Sequence, residues 1–143
     1  MRRNEFGFSL FEIAGLLLVL LAITAATIPS FNDILLTHKL SSVTQNISLQ
    51  LQTARERAVK ENRSISVLFR IKRYGIDIDD NGVLDKNEEI QVPEGISVTP
   101  MMTVTFTPRG DLLPGSVTGS IFVSNGEETK SINFMRSGKF TIN

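Results

Sequence analysis

The chain of 143 residues has no cysteine and no tryptophan, and only one histidine and one tyrosine. Without cysteine there are no disulfides, so packing alone must hold the fold, and neither a thiolate nucleophile nor a lipidated N-terminal cysteine is available. The single histidine, His38, leaves no Ser-His-Asp set in view, and no phosphate-binding glycine loop is present, which argues against an enzyme. Charge of one sign is also lacking. Fifteen Lys and Arg balance fifteen Asp and Glu, so the composition does not announce a nucleic-acid binder. There is no internal repeat, low-complexity stretch or linker.

What the sequence does have is one long apolar run near its start. Between Phe8 and Ile28 the only charged side chain is Glu12. A helix of about 20 apolar residues spans the hydrocarbon core of a bilayer, so this segment is long enough to cross. A charge inside such a segment costs roughly 2.5 to 3.5 kcal/mol on insertion scales, and this one has no Lys or Arg in the segment to pair with. Arg2 and Arg3 precede the run, and the positive-inside rule places that end in the cytoplasm and the remainder outside. A secretory signal peptide competes, with Thr24-Ala25-Ala26 as a passable cleavage site, but the run is too long and Glu12 breaks its core. A plain single-pass anchor explains the length and leaves Glu12 unexplained.

The stretch Gly7-Phe8-Ser9-Leu10-Phe11-Glu12, with Pro29 after the apolar run, resembles the processing motif of type IV prepilins and type II secretion pseudopilins. The resemblance implies that a prepilin peptidase cuts between Gly7 and Phe8, that Phe8 is then N-methylated, and that Glu12 serves assembly as the fifth residue of the mature chain. The physics agrees with it. Cleavage creates at Phe8 the cation that Glu12 lacks, and a desolvated pair is stable only when both charges are present. Loss of residues 1–7 removes Arg2, Arg3 and Glu5 and leaves a net charge of −1.

Beyond the run, Pro29 lacks an N–H and is expected to kink or interrupt the helix. Leu36, Leu40, Val43, Ile47, Leu51, Ala54 and Ala58 then recur at helical spacing as one narrow face, and Asn62 is a left-handed cap. From Ile65 the period changes to two: Ile65, Val67, Phe69 and Ile71 alternate with Ser66, Leu68 and Arg70, as in a half-buried strand. Seven further short strands are expected at 74–78, 89–92, 96–98, 104–107, 120–124, 131–135 and 139–142, punctuated by Gly and Pro. The expected fold class is α+β, a long N-terminal helix followed by a small antiparallel β-sheet head. Its expected parts are a cleaved leader at 1–7, a transmembrane helix segment at 8–28, an amphipathic stalk at 29–62 and the β-rich head at 63–143.

Leu51-Gln52-Thr53-Ala54-Arg55-Glu56-Arg57-Ala58-Val59-Lys60-Glu61-Asn62, Phe106-Thr107-Pro108-Arg109-Gly110 and the closing run from Ile132 to Ile142 are similar to the GspH/FimT group of minor pseudopilins and pilins. This implies a structural subunit of a type II secretion pseudopilus, held in the inner membrane with its head in the periplasm and packed against other pseudopilins through its helix. The alternative it implies is a minor pilin of a type IV pilus, with DNA binding as a possible task. For that reading Lys130, Arg136 and Lys139 are the candidate nucleic-acid contacts, against the plainer meaning of a solvated turn.

The charges are segregated. Arg55 to Arg73 holds seven basic and two acidic residues, and Asp77 to Glu94 seven acidic and one basic, which suits docking between copies if it is not merely a solvated surface. Counting Asp77 as position 1, oxygen donors fall at Asp77, Asp79, Asn81 and Asp85, with Gly82 at position 6, the Val83 carbonyl at 7 and Glu88 at 12. That is the calcium-loop template of an EF-hand, here between strands instead of helices. The competing reading is a bare hairpin turn, since Asp, Asn and Gly are turn residues in any case. No other cofactor is expected.

Overall fold

The computed structural model describes residues 9–116 and 119–143, apart from the side chains of residues 25–33. The leader and the Gly7–Phe8 processing site lie outside the described residues. Helix α1 runs Leu10–Glu61 as one element of 52 residues. It continues through Pro29, where a kink or an interruption was expected, so the interruption does not occur: losing one backbone hydrogen bond does not end a ladder that continues on both sides. At its other end Asn62 adopts φ 50° and the Arg63 N–H reaches back to the Ala58 carbonyl at 3.3 Å, the left-handed cap that the sequence implied.

The chain divides into two units, Met1–Leu35 and Leu36–Asn143. In the first, the described side chains from residue 9 to 24 are all exposed. Among the described residues no helix is long and apolar enough to cross a membrane.

The second unit combines the rest of α1 with two four-stranded antiparallel sheets. One is ordered β3-β2-β1-β5, from β1 (Ile65–Phe69), β2 (Arg73–Asp77), β3 (Glu89–Gln91) and β5 (Met102–Phe106). The other is ordered β4-β6-β7-β8, from β4 (Ser97–Thr99), β6 (Ser120–Ser124), β7 (Thr129–Phe134) and β8 (Phe140–Ile142). One core joins all of them. The predicted helix stripe Leu40, Val43, Ile47, Leu51, Ala54 and Ala58 is buried there with Ile65, Val67 and Phe69 of β1, Val104 and Phe106 of β5, and Ile121, Val123 and Ile132 of the second sheet.

Period two misplaces two residues of the first strand. Ile71 is 68% exposed in the β1–β2 turn, because β1 stops at Phe69. Leu68, assigned to the solvent face, is buried. It lies opposite Gly75 in the β1–β2 register, and Leu84 from the acidic loop sits 3.3 Å from where a Gly75 side chain would begin. The loop therefore folds back over that face of the sheet and covers it.

Candidate functional site

The acidic loop connects β2 to β3, and its shape follows from short side chains that accept backbone hydrogen bonds. Asp77, only 2% exposed, accepts from the N–H of Asn81 at Oδ1 (3.2 Å) and of Gly82 at Oδ2 (2.8 Å). Asp79 accepts from Asn81, backbone N–H at 3.3 Å and side-chain amide at 2.7 Å, and the Val83 N–H donates to Asn81 Oδ1 at 2.7 Å. Asp80 and Gly82 take left-handed φ of 59° and 77°, which turns the chain back sharply. At the far end Glu88 closes the loop, Oε1 accepting from the Ile78 N–H (2.9 Å) and Oε2 from the Asp85 N–H (3.3 Å).

These bonds bring Asp77, Asp79 and Glu88 together, with one carboxylate oxygen from each within 4.8 Å of the others. Asp85 is not part of that cluster; its carbonyl instead accepts from the N–H groups of Glu88 and Glu89. Three converging carboxylates repel one another, and hard oxygen donors of this kind suit calcium. Two anchors hold the loop to the fold. Arg63 donates to the Ile78 carbonyl at 3.0 Å, and Gly75 has no room for a side chain, since a Cβ there would lie 1.9 Å from the Glu88 carbonyl oxygen.

The three cations proposed from the sequence do not form one patch. Lys130 is at the start of β7 and donates to Ser41 of the helix at 3.0 Å, whereas Arg136 and Lys139 are exposed in the turn after β7. Six residues of strand, roughly 20 Å at about 3.3 Å each, separate Lys130 from Arg136. What does gather beside Arg136 and Lys139 is Arg55. Its Nε donates to the Gly110 carbonyl at 2.9 Å and its Nη2 to the Ser137 carbonyl at 3.4 Å. Gly138, at φ 74°, presses on the same point, with the Gly110 carbonyl oxygen 1.9 Å from where a Cβ would sit. A helical arginine thus fastens the 107–111 loop and the 135–139 turn. In the sequence Arg55 stands out only as the first member of the basic block; the Gly110 and Gly138 that make room for it are the available signal.

Glu12 lies in the first turn of α1, and Ser9 precedes it as the cap, its Oγ accepting from the Phe11 N–H at 3.3 Å. A Ser three residues before a Glu is a capping-box pattern, and a carboxylate at that end also opposes the helix dipole favourably. His38 is exposed on α1.

The profile of the family described as type II transport protein GspH matches residues 43–138, which take in the buried helix stripe from Val43 to Ala58 and every strand but β8. No curated protein matches the chain. Two solved structures resemble it, both of the type IV minor pilin FimU of Pseudomonas aeruginosa in different crystal forms. One is 18% identical with a TM-score of 0.58, covering 72% of this chain and 91% of the other. The second is 20% identical with a TM-score of 0.61, covering 74% and 89%. At such identities the likeness is one of fold.

Proposed function

This chain belongs to the GspH family of type II transport proteins, and from that premise we propose that it is a minor pseudopilin, a structural subunit of a type II secretion pseudopilus that supports protein export across the outer membrane. The family match over residues 43–138 carries the reading. The pilin-like fold agrees with it, and the family is structural, not catalytic. Residues 8–28 anchor the chain in the inner membrane: the segment has the length to span, and Arg2 and Arg3 set its orientation with the head in the periplasm. Prepilin peptidase cuts between Gly7 and Phe8, and Glu12 then pairs with the methylated Phe8 amine of a neighbouring subunit.

The test places a cysteine at Gln52, exposed on α1 in a chain with no other cysteine, and cross-links it in cells that assemble the fibre. A covalent product with other pseudopilins is expected, on a chain whose mass begins at methylated Phe8. Cross-linking only to a major pilin of a surface pilus, or a chain that retains Met1, would overturn the reading.

A second reading, a minor pilin of a type IV pilus that binds DNA, is favoured by Arg136 and Lys139 standing exposed on one turn beside Arg55. Phosphate contacts by Arg136 and Lys139 would make binding fall steeply with salt. In either machine, the convergence of Asp77, Asp79 and Glu88 supports a calcium ion in the β2–β3 loop, with Asn81, the Val83 carbonyl and Asp85 as the further donors.

A further inference from the structure

Strand β8 is the last strand of its sheet, and its pairing with β7 fixes which of its backbone groups are in use. Ser131 and Asn143 exchange both N–H to carbonyl bonds, at 2.8 and 2.9 Å, and Met135 donates to the Lys139 carbonyl at 2.8 Å. With Ile132 opposite Ile142, Asn133 opposite Thr141 and Phe134 opposite Phe140, the hydrogen-bonded pairs of this ladder are 131:143, 133:141 and 135:139. Phe140 and Ile142 occupy the non-bonded positions between them. Their N–H and carbonyl groups therefore face outward along the open edge.

The other sheet guards one of its edges. Alongside β5, the segment after it returns, with Thr107 donating to the Asp111 carbonyl and Leu113 to the Thr105 carbonyl, both at 2.8 Å. Natural edges are commonly covered in this way, or bent or blocked by proline, because an open edge is a template for another strand. No proline lies in β8, and no segment returns along it among the described residues. Beside it lies a groove of about 690 Å³, walled by Gln52, Arg55, Val59 and Lys60 of α1 and by Lys139 and Phe140. Val59, 52% exposed, and the half-buried Phe140 give the groove an apolar floor. Its rim is cationic: Arg55, Lys60 and Lys139 face one carboxylate, Glu56, which already accepts a hydrogen bond from Gln52 at 3.1 Å. Because Arg55 and Gly138 fasten the turn that begins β8, the edge is held in place before anything binds.

We propose that the open edge of β8 and the groove beside it receive an extended acidic segment of a partner protein, which adds a fifth strand to the sheet. Main-chain bonds to Phe140 and Ile142 supply affinity without regard to sequence. The side chains on the segment's groove-facing side supply both contacts, an apolar one resting on Val59 and acidic ones meeting the rim cations.

The probe is a blocked seven-residue peptide with Glu, Val and Glu at its second, fourth and sixth positions and Thr between them, so that these side chains share one face, added to the full chain in detergent micelles, with amide exchange followed by NMR. The Phe140 and Ile142 N–H groups should exchange at least tenfold more slowly on binding, while those of Thr141 and Asn143, already in the ladder, change little. A Lys–Val peptide of the same length should bind at least tenfold more weakly. Lys60→Glu with Lys139→Glu should reverse that preference. Ile142→Pro removes an outward N–H without touching the ladder, and should abolish binding; methylating alternate peptide nitrogens does the same from the other side and leaves the protein intact. Unchanged exchange at Phe140 and Ile142, equal binding of the Lys–Val peptide, or equal binding of the N-methylated peptide overturns the proposal.

Discussion

Tyr74 lies in the core with its ring stacked on that of Phe69, centroids 6.1 Å apart and planes 13° from parallel. Burial pushes its hydroxyl up to about 12, because the phenolate would lose its water. The unfolded chain ionises Tyr74 near pH 10. Below that pH both states are neutral, and the contribution to stability is fully present. Above it the unfolded state is favoured progressively until the folded group also titrates. Two pH units correspond to roughly 3 kcal/mol at the limit. Tyr74→Phe keeps the ring and removes the proton, so the stability of the native chain relative to this variant should fall by about 2 kcal/mol between pH 9 and 11.5 in urea unfolding. A difference that stays constant over that range would show that the hydroxyl ionises as readily inside as outside. Glu12 teaches the complementary lesson about single residues. As a charge in an apolar run it is conspicuous in the sequence, and its place three residues after Ser9 is equally legible there as a capping-box pattern at the helix start.

At the level of elements, the helix stripe and all eight strands were legible, because burial on one face imposes its period directly on the sequence. Ends and loop packing were less so. Nothing in alternation tells that β1 stops at Phe69, leaving Ile71 exposed, or that Leu68 has a cover in Leu84 brought from sixteen residues further along. Those depend on where a loop lands. The acidic loop was legible in its ligands and its glycine, not in its anchors: Arg63 on Ile78 and Gly75 beneath Glu88 hold it from elsewhere in the chain. A loop already shaped by bonds from Asp77, Asp79 and Glu88 to backbone N–H groups loses little further freedom when a cation binds. At calcium about tenfold above a dissociation constant in the range of 10⁻⁴ to 10⁻³ M, linkage gives roughly 1.4 kcal/mol. For a unit of this size that raises the melting temperature by about 5 to 8 °C. Asp79→Asn, which removes one converging charge from an exposed position, should erase most of the rise and leave the calcium-free melting temperature nearly unchanged. A melting curve indifferent to millimolar calcium would leave the loop as a turn.

In the whole molecule, the two oppositely charged blocks of the sequence meet within one chain. Arg63 reaches the carbonyl at the start of the acidic loop, and Arg73 pairs with Glu89 at 2.9 Å across neighbouring strands. Some of the complementarity that suggested docking between copies is therefore satisfied internally, and the Arg73–Glu89 pair, like the pair of Arg63 with Glu61, is too exposed to add more than a fraction of a kcal/mol. Stability must come from the core, and every member of the core cluster falls between Leu40 and Ile132, inside the unit Leu36–Asn143. Among the described residues the first unit contributes none of them. A fragment of residues 36–143 should accordingly fold alone and unfold in one cooperative transition, with a melting temperature within about 5 °C of the full chain in detergent, since the stretch of α1 it keeps carries the whole buried stripe. Near-ultraviolet circular dichroism of Tyr74, the only tyrosine in a chain without tryptophan, reports the packing of that core directly. A fragment that keeps its far-ultraviolet signal but loses the tyrosine signal would mean that the core needs residues 1–35 to close.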